Sequence, residues 1–220
     1  MSDKKIEIKE KLNIRLVLDR SGSMHACKNE TIDSINEYIM EIQKEALDGV
    51  LTLSLFDNQS IDIPISRIPI KNLHTLGYDF LDPRGGTPLY DAIGAAIHDL
   101  NNFEYVNNEK KVLVIVTDGY ENASREYNDE AIRKLIEEKT KEGWLIIYLG
   151  ADHNAFKQSG RMGFEYEKTL HYDKRDSKHA FKAVATRTSD YYRGNRFDRH
   201  EFLEKERELS NKKLYKFEEE

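Results

Sequence analysis

The chain has 220 residues, of which 39% are hydrophobic and 34% charged, and its net charge at pH 7 is −6. This length suits one α/β domain, and the acidic balance without a basic stripe argues against a nucleic-acid partner. The sequence contains no apolar stretch long enough to span a membrane, and its single cysteine, Cys27, excludes an intrachain disulfide. Because the first residues lack the apolar core of a signal peptide, we expect a cytoplasmic protein.

Six segments have the apolar patterns of strands. The run KKVLVIVTDG is almost continuously Val, Ile and Leu, which is typical of a central parallel strand. Two other segments flank Asn58-Gln59, which predicts a tight hairpin. In chain order the predicted strands are 12–19, 50–57, 60–68, 110–119, 143–150 and a weaker one at 164–172.

Helical patterns alternate with these strands. Apolar residues recur at helical spacing in four segments, 29–46, 88–103, 128–143 and 176–192. The third segment ends at Gly143, which we expect to cap the helix. This order predicts an α/β fold with a mostly parallel sheet, helices on both faces and one antiparallel edge strand.

Charge concentrates at the two ends of the chain. We therefore expect a charged N-terminal extension at 1–11, one domain at 12–194 and a charged C-terminal tail at 195–220 that is helical or frayed and solvated. The sequence does not predict an oligomeric state.

Polar side chains with oxygen atoms follow two of the predicted strands. Asp19 ends the first strand, with Ser21 and Ser23 directly after it, and Asp118 ends the strand VLVIVT. Between them in sequence, Gly85 and Gly86 permit a tight loop before Thr87, which is a candidate N-cap. Parallel strands present their carboxyl ends at one sheet edge, where ligands bind, so we expect these three loops to meet there.

These side chains offer hard oxygen ligands without histidine or cysteine, which favours magnesium (Mg²⁺) or manganese (Mn²⁺) over zinc or copper. Two carboxylates balance a divalent cation, and hydroxyls add donors without adding charge. An open or water-filled position on such a metal would accept an Asp or Glu side chain of a protein partner. The predicted metal-binding residues are Asp19, Ser21, Ser23, Thr87 and Asp118.

Three motifs carry a family resemblance. DRSGS, GGTPLYDAI and TDG resemble, in order and position, the motifs of the von Willebrand factor A (vWA) domain family, over roughly residues 12–192. The resemblance implies a Rossmann-like, doubly wound sheet of about six strands and an intact metal-ion-dependent adhesion site (MIDAS) on the five residues named above. The segments RGGTPLYDAIG and VTDGYENAS are similar in sequence to those of stand-alone bacterial and phage members.

The same resemblance assigns roles to the residues of the site. It implies that Ser21 and Ser23 bind the metal directly, that Thr87 binds directly or through water, and that the two aspartates act mostly through waters. Residues near the site would form the rim that contacts the partner; these are His25, Tyr120, Glu121 and Asn122. The sequence thus predicts a non-enzymatic, Mg-dependent module that binds an acidic residue of a protein partner.

Other interpretations stay open. DRSGSM could be a loop and helix cap, and Cys27 could be a stabilised thiolate or a buried cysteine. A Mg-dependent, phosphatase-like hydrolase also places an aspartate after the first strand, but it needs a second acid at the position that Ser21 occupies. A structural or regulatory subunit with a vestigial metal site is the third alternative.

Overall fold

The computed structural model describes residues 10–102, 109–151, 155–194 and 201–211. Its strands are β1 Lys11–Asp19, β2 Gly49–Phe56, β3 Ile61–Pro69, β4 Glu109–Thr117, β5 Leu145–Gly150 and β6 Thr169–His171. Its helices are α1 Lys28–Lys44, α2 Leu89–Asn102, α3 Asp129–Lys141, α4 Ala155–Arg161, α5 Lys178–Tyr192 and α6 Glu204–Ser210. None of the helices in these ranges is long and apolar enough to cross a membrane.

The strands form one sheet in the order β3-β2-β1-β4-β5-β6. All neighbouring pairs are parallel except β2 and β3, so β3 is the antiparallel edge strand that the sequence predicted. In β1, which lies between β2 and β4, Leu18 is opposite Leu55 of β2 and Val116 of β4. The chain runs from β1 to β2 on one side and later to β4 on the other. This reversal of strand order opens a crevice at the carboxyl ends of β1 and β4.

Helices cover both faces of the sheet, which confirms the doubly wound α/β fold. On one face, α1 and α5 pack against a core that includes Ile35 and Phe181. On the other face, α2 and α3 pack against a core that includes Ile93 and Ile136. Successive residues of β4 and β5 alternate between the two cores, and burial of both faces explains why these strands are continuous apolar runs.

Most of the predicted elements are confirmed with small shifts at their ends. Gly143 follows α3 with a φ of 89°, and its N–H donates to the carbonyl of Thr140, as expected of a C-terminal cap. The last strand is shorter than predicted, because a 3₁₀ turn at Tyr166–Lys168 replaces its first half. The short helix α4 was not predicted.

The C-terminal segment at 201–211 differs from the prediction of a solvated tail. Phe202 is buried in the α1/α5 core, and Arg207 of α6 is 2% exposed. The Arg207 guanidinium donates to the carbonyls of Thr169, at 2.7 Å, and Tyr166, at 2.9 Å, and lies over the Tyr166 ring. Backbone carbonyls thus accept hydrogen bonds from an arginine side chain that the sequence pattern predicts to be solvent-exposed. Residues 1–9, 195–200 and 212–220 of the predicted extensions lie outside the described residues, and the domain boundaries stay a prediction.

Candidate metal site

Three loops meet at the crevice between β1 and β4. The first follows Asp19, the second precedes α2, and the third follows β4. The N–H of Gly22 in the first loop donates to the carbonyl of Gly85 in the second, at 3.1 Å. The N–H of Asn122 in the third loop donates to the carbonyl of Thr87 in the second, also at 3.1 Å. The second loop therefore holds the other two in place.

The side-chain oxygens of the five predicted residues converge there. Ser21 Oγ and Ser23 Oγ are 3.1 Å apart, and Ser23 Oγ donates to Asp118 Oδ1 at 2.5 Å. A Cβ atom built on Gly119 would lie 3.3 Å from Thr87 Oγ1, 3.4 Å from Ser23 Oγ and 3.8 Å from Asp19 Oδ2. The absent side chain of this third-loop glycine leaves a space lined by oxygens of Asp19, Ser23 and Thr87.

Asp19 is fully buried, and both of its carboxylate oxygens accept hydrogen bonds. The Thr117 hydroxyl donates to Oδ2 at 2.6 Å, and the Ser21 N–H donates to Oδ1 at 2.7 Å. Burial raises the pKa of Asp19 to about 6, although these hydrogen bonds oppose the shift. A buried carboxylate of this kind is stabilised by a cation brought next to it.

Thr87 does not cap α2 as predicted. The first-turn N–H groups of α2 donate to the third loop instead: Tyr90 N–H to Glu121 Oε2 at 3.0 Å, and Asp91 N–H to Ser124 Oγ at 3.2 Å. Loop side chains take over the capping because the third loop crosses the start of the helix. The Thr87 side chain is thereby left to line the space beside Gly119.

A cluster of ionic side chains fixes the first two loops, and the sequence did not reveal it. Arg20 Nε and Arg84 Nε both donate to Asp57 Oδ2, at 2.7 and 3.0 Å. The Asp57 side chain is fully buried, and although burial opposes the shift, hydrogen bonds from Gln59 and the two arginines lower the pKa of its carboxyl. Residue Arg20 also lies in the first loop between Asp19 and Ser21, so this cluster positions the candidate ligands.

Lys174 is a second feature that the sequence did not reveal. It lies in the loop between β6 and α5, and its Nζ is 2.6 Å from Asp118 Oδ2. The Asp118 side chain is fully buried, whereas that of Lys174 is 32% exposed. Because Ser23 donates to the other oxygen, both oxygens of Asp118 have partners in this arrangement.

The predicted rim residues fall into two groups. His25 and Tyr120 are exposed, as is Asn122 of the second group. Glu121 and Asn122 hold the loops together: the Glu121 carboxylate accepts from the Tyr90, Ala123 and Ser124 backbone N–H groups and the Ser124 hydroxyl, and Asn122 Oδ1 accepts from Thr87 N–H. A cavity of about 180 Å³ adjoins Tyr120 and extends to the cations Lys157 and Arg161.

The donor chemistry fits a hard divalent cation. Neighbouring ligands of an octahedral Mg²⁺ ion, each roughly 2.1 Å from the metal, lie about 3 Å apart. The 3.1 Å between the hydroxyls of Ser21 and Ser23 matches this spacing. The described residues hold no group of three His, Cys, Asp or Glu side chains that could bind a metal, so the hydroxyls are needed to complete a ligand set.

Two alternative interpretations lose support from the geometry. Ser21 occupies the cap position of a 3₁₀ turn at Gly22–Cys27, but its side chain makes no capping hydrogen bond. Cys27 is fully buried, and burial raises the pKa of its thiol to about 11, which favours the buried-cysteine interpretation over a stabilised thiolate.

Comparisons with known proteins place the fold. No family model matches the chain, and no curated protein matches it. Three of the similar solved structures are a von Willebrand factor type A protein from Catenulispora acidiphila, the pilus adhesin SpaC from Lactobacillus rhamnosus GG and a manganese-loaded TRAP protein from Plasmodium vivax. Their TM-scores are 0.59, 0.59 and 0.56, with sequence identities of 11%, 15% and 15%.

The matches cover most of this chain but unequal shares of the other proteins. The Catenulispora match covers 82% of this chain and 43% of the other protein. For SpaC the two shares are 84% and 31%, and for TRAP they are 79% and 72%. The chain thus spans less than half the length of the first two. At these identities the similarity establishes the fold, and the chain has the fold of a von Willebrand factor type A domain.

Proposed function

We propose that this protein is a non-enzymatic binding module that uses Mg²⁺ to capture an acidic side chain of a protein partner. The observation that carries the proposal is the convergence of five oxygen-bearing side chains. Oxygens of Asp19, Ser23 and Thr87 surround the space beside Gly119, and those of Ser21 and Asp118 lie within hydrogen-bond distance of Ser23 Oγ. When bound, the cation would supply the positive charge and the open coordination position that attract a carboxylate.

The residues of the site would have different roles in binding the metal. Ser21, Ser23 and Thr87 would contribute neutral hydroxyls, so that the charge of the metal is not quenched. Both oxygens of Asp19 already accept hydrogen bonds, from Thr117 and from the Ser21 N–H. Asp19 would therefore act mostly through water, and as a buried negative charge that favours the cation.

The surroundings of the site suit a protein ligand. The loops are held by one another and by the buried Arg20–Asp57 pair, so they offer a preformed surface that loses little freedom when a partner binds. Tyr120 is 50% exposed next to the site, and the cavity beside it would receive residues that neighbour the captured acid. TRAP, a similar structure, is manganese-loaded, and SpaC is an adhesin.

The hydrolase interpretation is weaker for a chemical reason. A phosphohydrolase of that class needs a general acid two residues after the aspartate that ends the first strand. Ser21 stands there, and its hydroxyl lies 3.1 Å from that of Ser23. A hydroxyl in this position can bind a metal but cannot protonate a leaving group at neutral pH.

Manganese titration of the full chain tests the metal site. Electron paramagnetic resonance of free Mn²⁺ should reveal one saturable site in the wild type and its loss in Asp19→Ala and in Ser21→Ala. Asp48→Asn is the matched control, because it removes an exposed carboxylate just before β2, at the opposite edge of the sheet. Wild-type binding that survives both site substitutions would contradict the assignment.

The protein-capture step needs its own experiment. A pull-down from the native host, with the wild type in Mg²⁺ and in EDTA, should recover a partner only in Mg²⁺. Replacing the acidic residues of that partner one at a time should identify one whose loss abolishes capture. Capture that persists in EDTA would contradict the metal bridge, and turnover of phosphatase substrates that Asp19→Asn abolishes would favour the hydrolase.

A further inference from the structure

The Lys174 ammonium contacts one of the two acids of the candidate metal site. Its Nζ is 2.6 Å from Asp118 Oδ2, and the carboxylate it contacts is fully buried. Ser23 Oγ, a candidate metal ligand, donates to the other oxygen of the same carboxylate at 2.5 Å. The lysine side chain therefore neutralises one of the two acids that a cation at this site would use.

The backbone around Lys174 is held in place while its side chain reaches the site from outside. The N–H of Asp173 donates to the carbonyl of Ser210 in the docked C-terminal segment, at 2.9 Å, and the N–H of Asp176 donates back to the Asp173 carbonyl, at 2.9 Å. Because the Lys174 side chain is 32% exposed and long, it can turn into solvent without moving this backbone.

From this contact we infer that Lys174 is a tethered counter-ion that links metal binding to partner binding. The inference rests on the proposed function. Without metal, the ammonium compensates Asp118; when a divalent cation binds, the ammonium has to leave that carboxylate but stays attached nearby. Lys174 thus weakens the binding of the metal alone.

The charges of the loaded site lead to the second half of the inference. Asp19 and Asp118 together balance the two positive charges of the cation, so the displaced ammonium leaves the site with one net positive charge. A single carboxylate from a partner neutralises it. Lys174 therefore strengthens the binding of a monoanionic acid to the loaded site, and the metal and the partner bind cooperatively.

The test is to remove the charge and measure both binding steps. Free-Mn²⁺ resonance would be recorded for the full chain and for Lys174→Met, Lys174→Gln and Lys174→Arg. The two neutral variants should bind Mn²⁺ about tenfold more tightly than the wild type, because repulsion between two cations a few ångströms apart is lost. The arginine variant should resemble the wild type, and Lys182→Met, an exposed lysine of α5, should change nothing.

Acetate serves as the probe for the second step. Its entry should lower the water-proton relaxation rate of the Mn²⁺-saturated protein, and several times more acetate should be needed in the neutral variants. Tighter Mn²⁺ binding together with weaker acetate binding supports the inference, since a merely structural lysine would not move the two in opposite directions.

Three results would overturn the inference. Unchanged or weaker Mn²⁺ binding in both neutral variants refutes competition while leaving the metal site intact. Equal acetate binding in all variants refutes the link to the partner. Absence of Mn²⁺ binding from every variant refutes the proposed function, and the inference with it. Lys174→Gln keeps an N–H donor for the buried carboxylate, so it covers the case in which Lys174→Met does not fold.

Discussion

We predict that removing the hydroxyl of Thr117 destabilises the protein at the candidate site. Thr117 ends β4, and its Oγ1 donates to the fully buried Asp19 at 2.6 Å while accepting from the Gly119 N–H at 3.1 Å. Thr117→Val keeps the shape of the side chain and removes both hydrogen bonds. The buried carboxylate of Asp19 then keeps the bond from the Ser21 N–H at Oδ1 and loses the bond from Thr117 at Oδ2.

The expected loss can be worked out from these two bonds. A hydrogen bond to a charged group contributes about 1.5–3 kcal/mol, and a neutral one contributes about 1 kcal/mol. Thr117→Val should therefore lower the free energy of unfolding by about 3 kcal/mol. For a chain of this size, that corresponds to a fall in Tm of roughly 6–12 °C.

The assay is thermal unfolding at pH 7.5 in EDTA, followed by circular dichroism, with Thr52→Val as the control. Thr52 is also a buried strand threonine, but its hydroxyl accepts one neutral N–H, from Arg67 at 3.1 Å. That variant should lose only about 1 kcal/mol. Equal losses in the two variants would refute the claim that the Thr117 hydroxyl stabilises a buried charge.

Two further predictions concern the elements around the site. Gly85→Ala should destabilise the protein by at least about 1–2 kcal/mol, because Gly85 has a φ of 67° and an added Cβ would lie 1.9 Å from Asn58 Oδ1. Urea unfolding would measure this loss of stability, and an unchanged unfolding midpoint would contradict the loop geometry. Arg207→Met should cost about 2 kcal/mol or more, because the carbonyls of Tyr166 and Thr169 lose the hydrogen bonds that the guanidinium donates to them. Rapid hydrogen exchange near β6 should accompany the loss, and a variant as stable as the wild type would show that the C-terminal segment does not dock.

Local patterns were sufficient to predict the sheet and the place of the candidate site. The central strands are buried on both faces, so the continuous apolar run in β4 was enough to predict a central parallel strand. Asp19 and Asp118 each follow such a run, and parallel strands bring their carboxyl ends to one edge, so their proximity could be predicted without coordinates. The edge strand β3 followed from the hairpin at Asn58-Gln59.

The features that were missed depend on pairing between distant side chains. Lys174 follows a three-residue strand and belongs to no motif, and nothing local indicates that it reaches a carboxylate 56 positions earlier. The capping of α2 by Glu121 and Ser124 was missed for the same reason. Arg207 looks like a solvent-exposed charge in a polar segment, and only the carbonyls it contacts explain its burial.

Locating the metal ion is the most direct test of the central claim. Crystals of the full chain would be soaked in MnCl₂, and anomalous diffraction would be recorded near the manganese absorption edge. We expect one strong peak beside Gly119, within bonding distance of the hydroxyls of Ser21 and Ser23, with Lys174 turned away from Asp118. A saturated soak with no peak there, or with Lys174 still on Asp118 and the ion elsewhere, would contradict it.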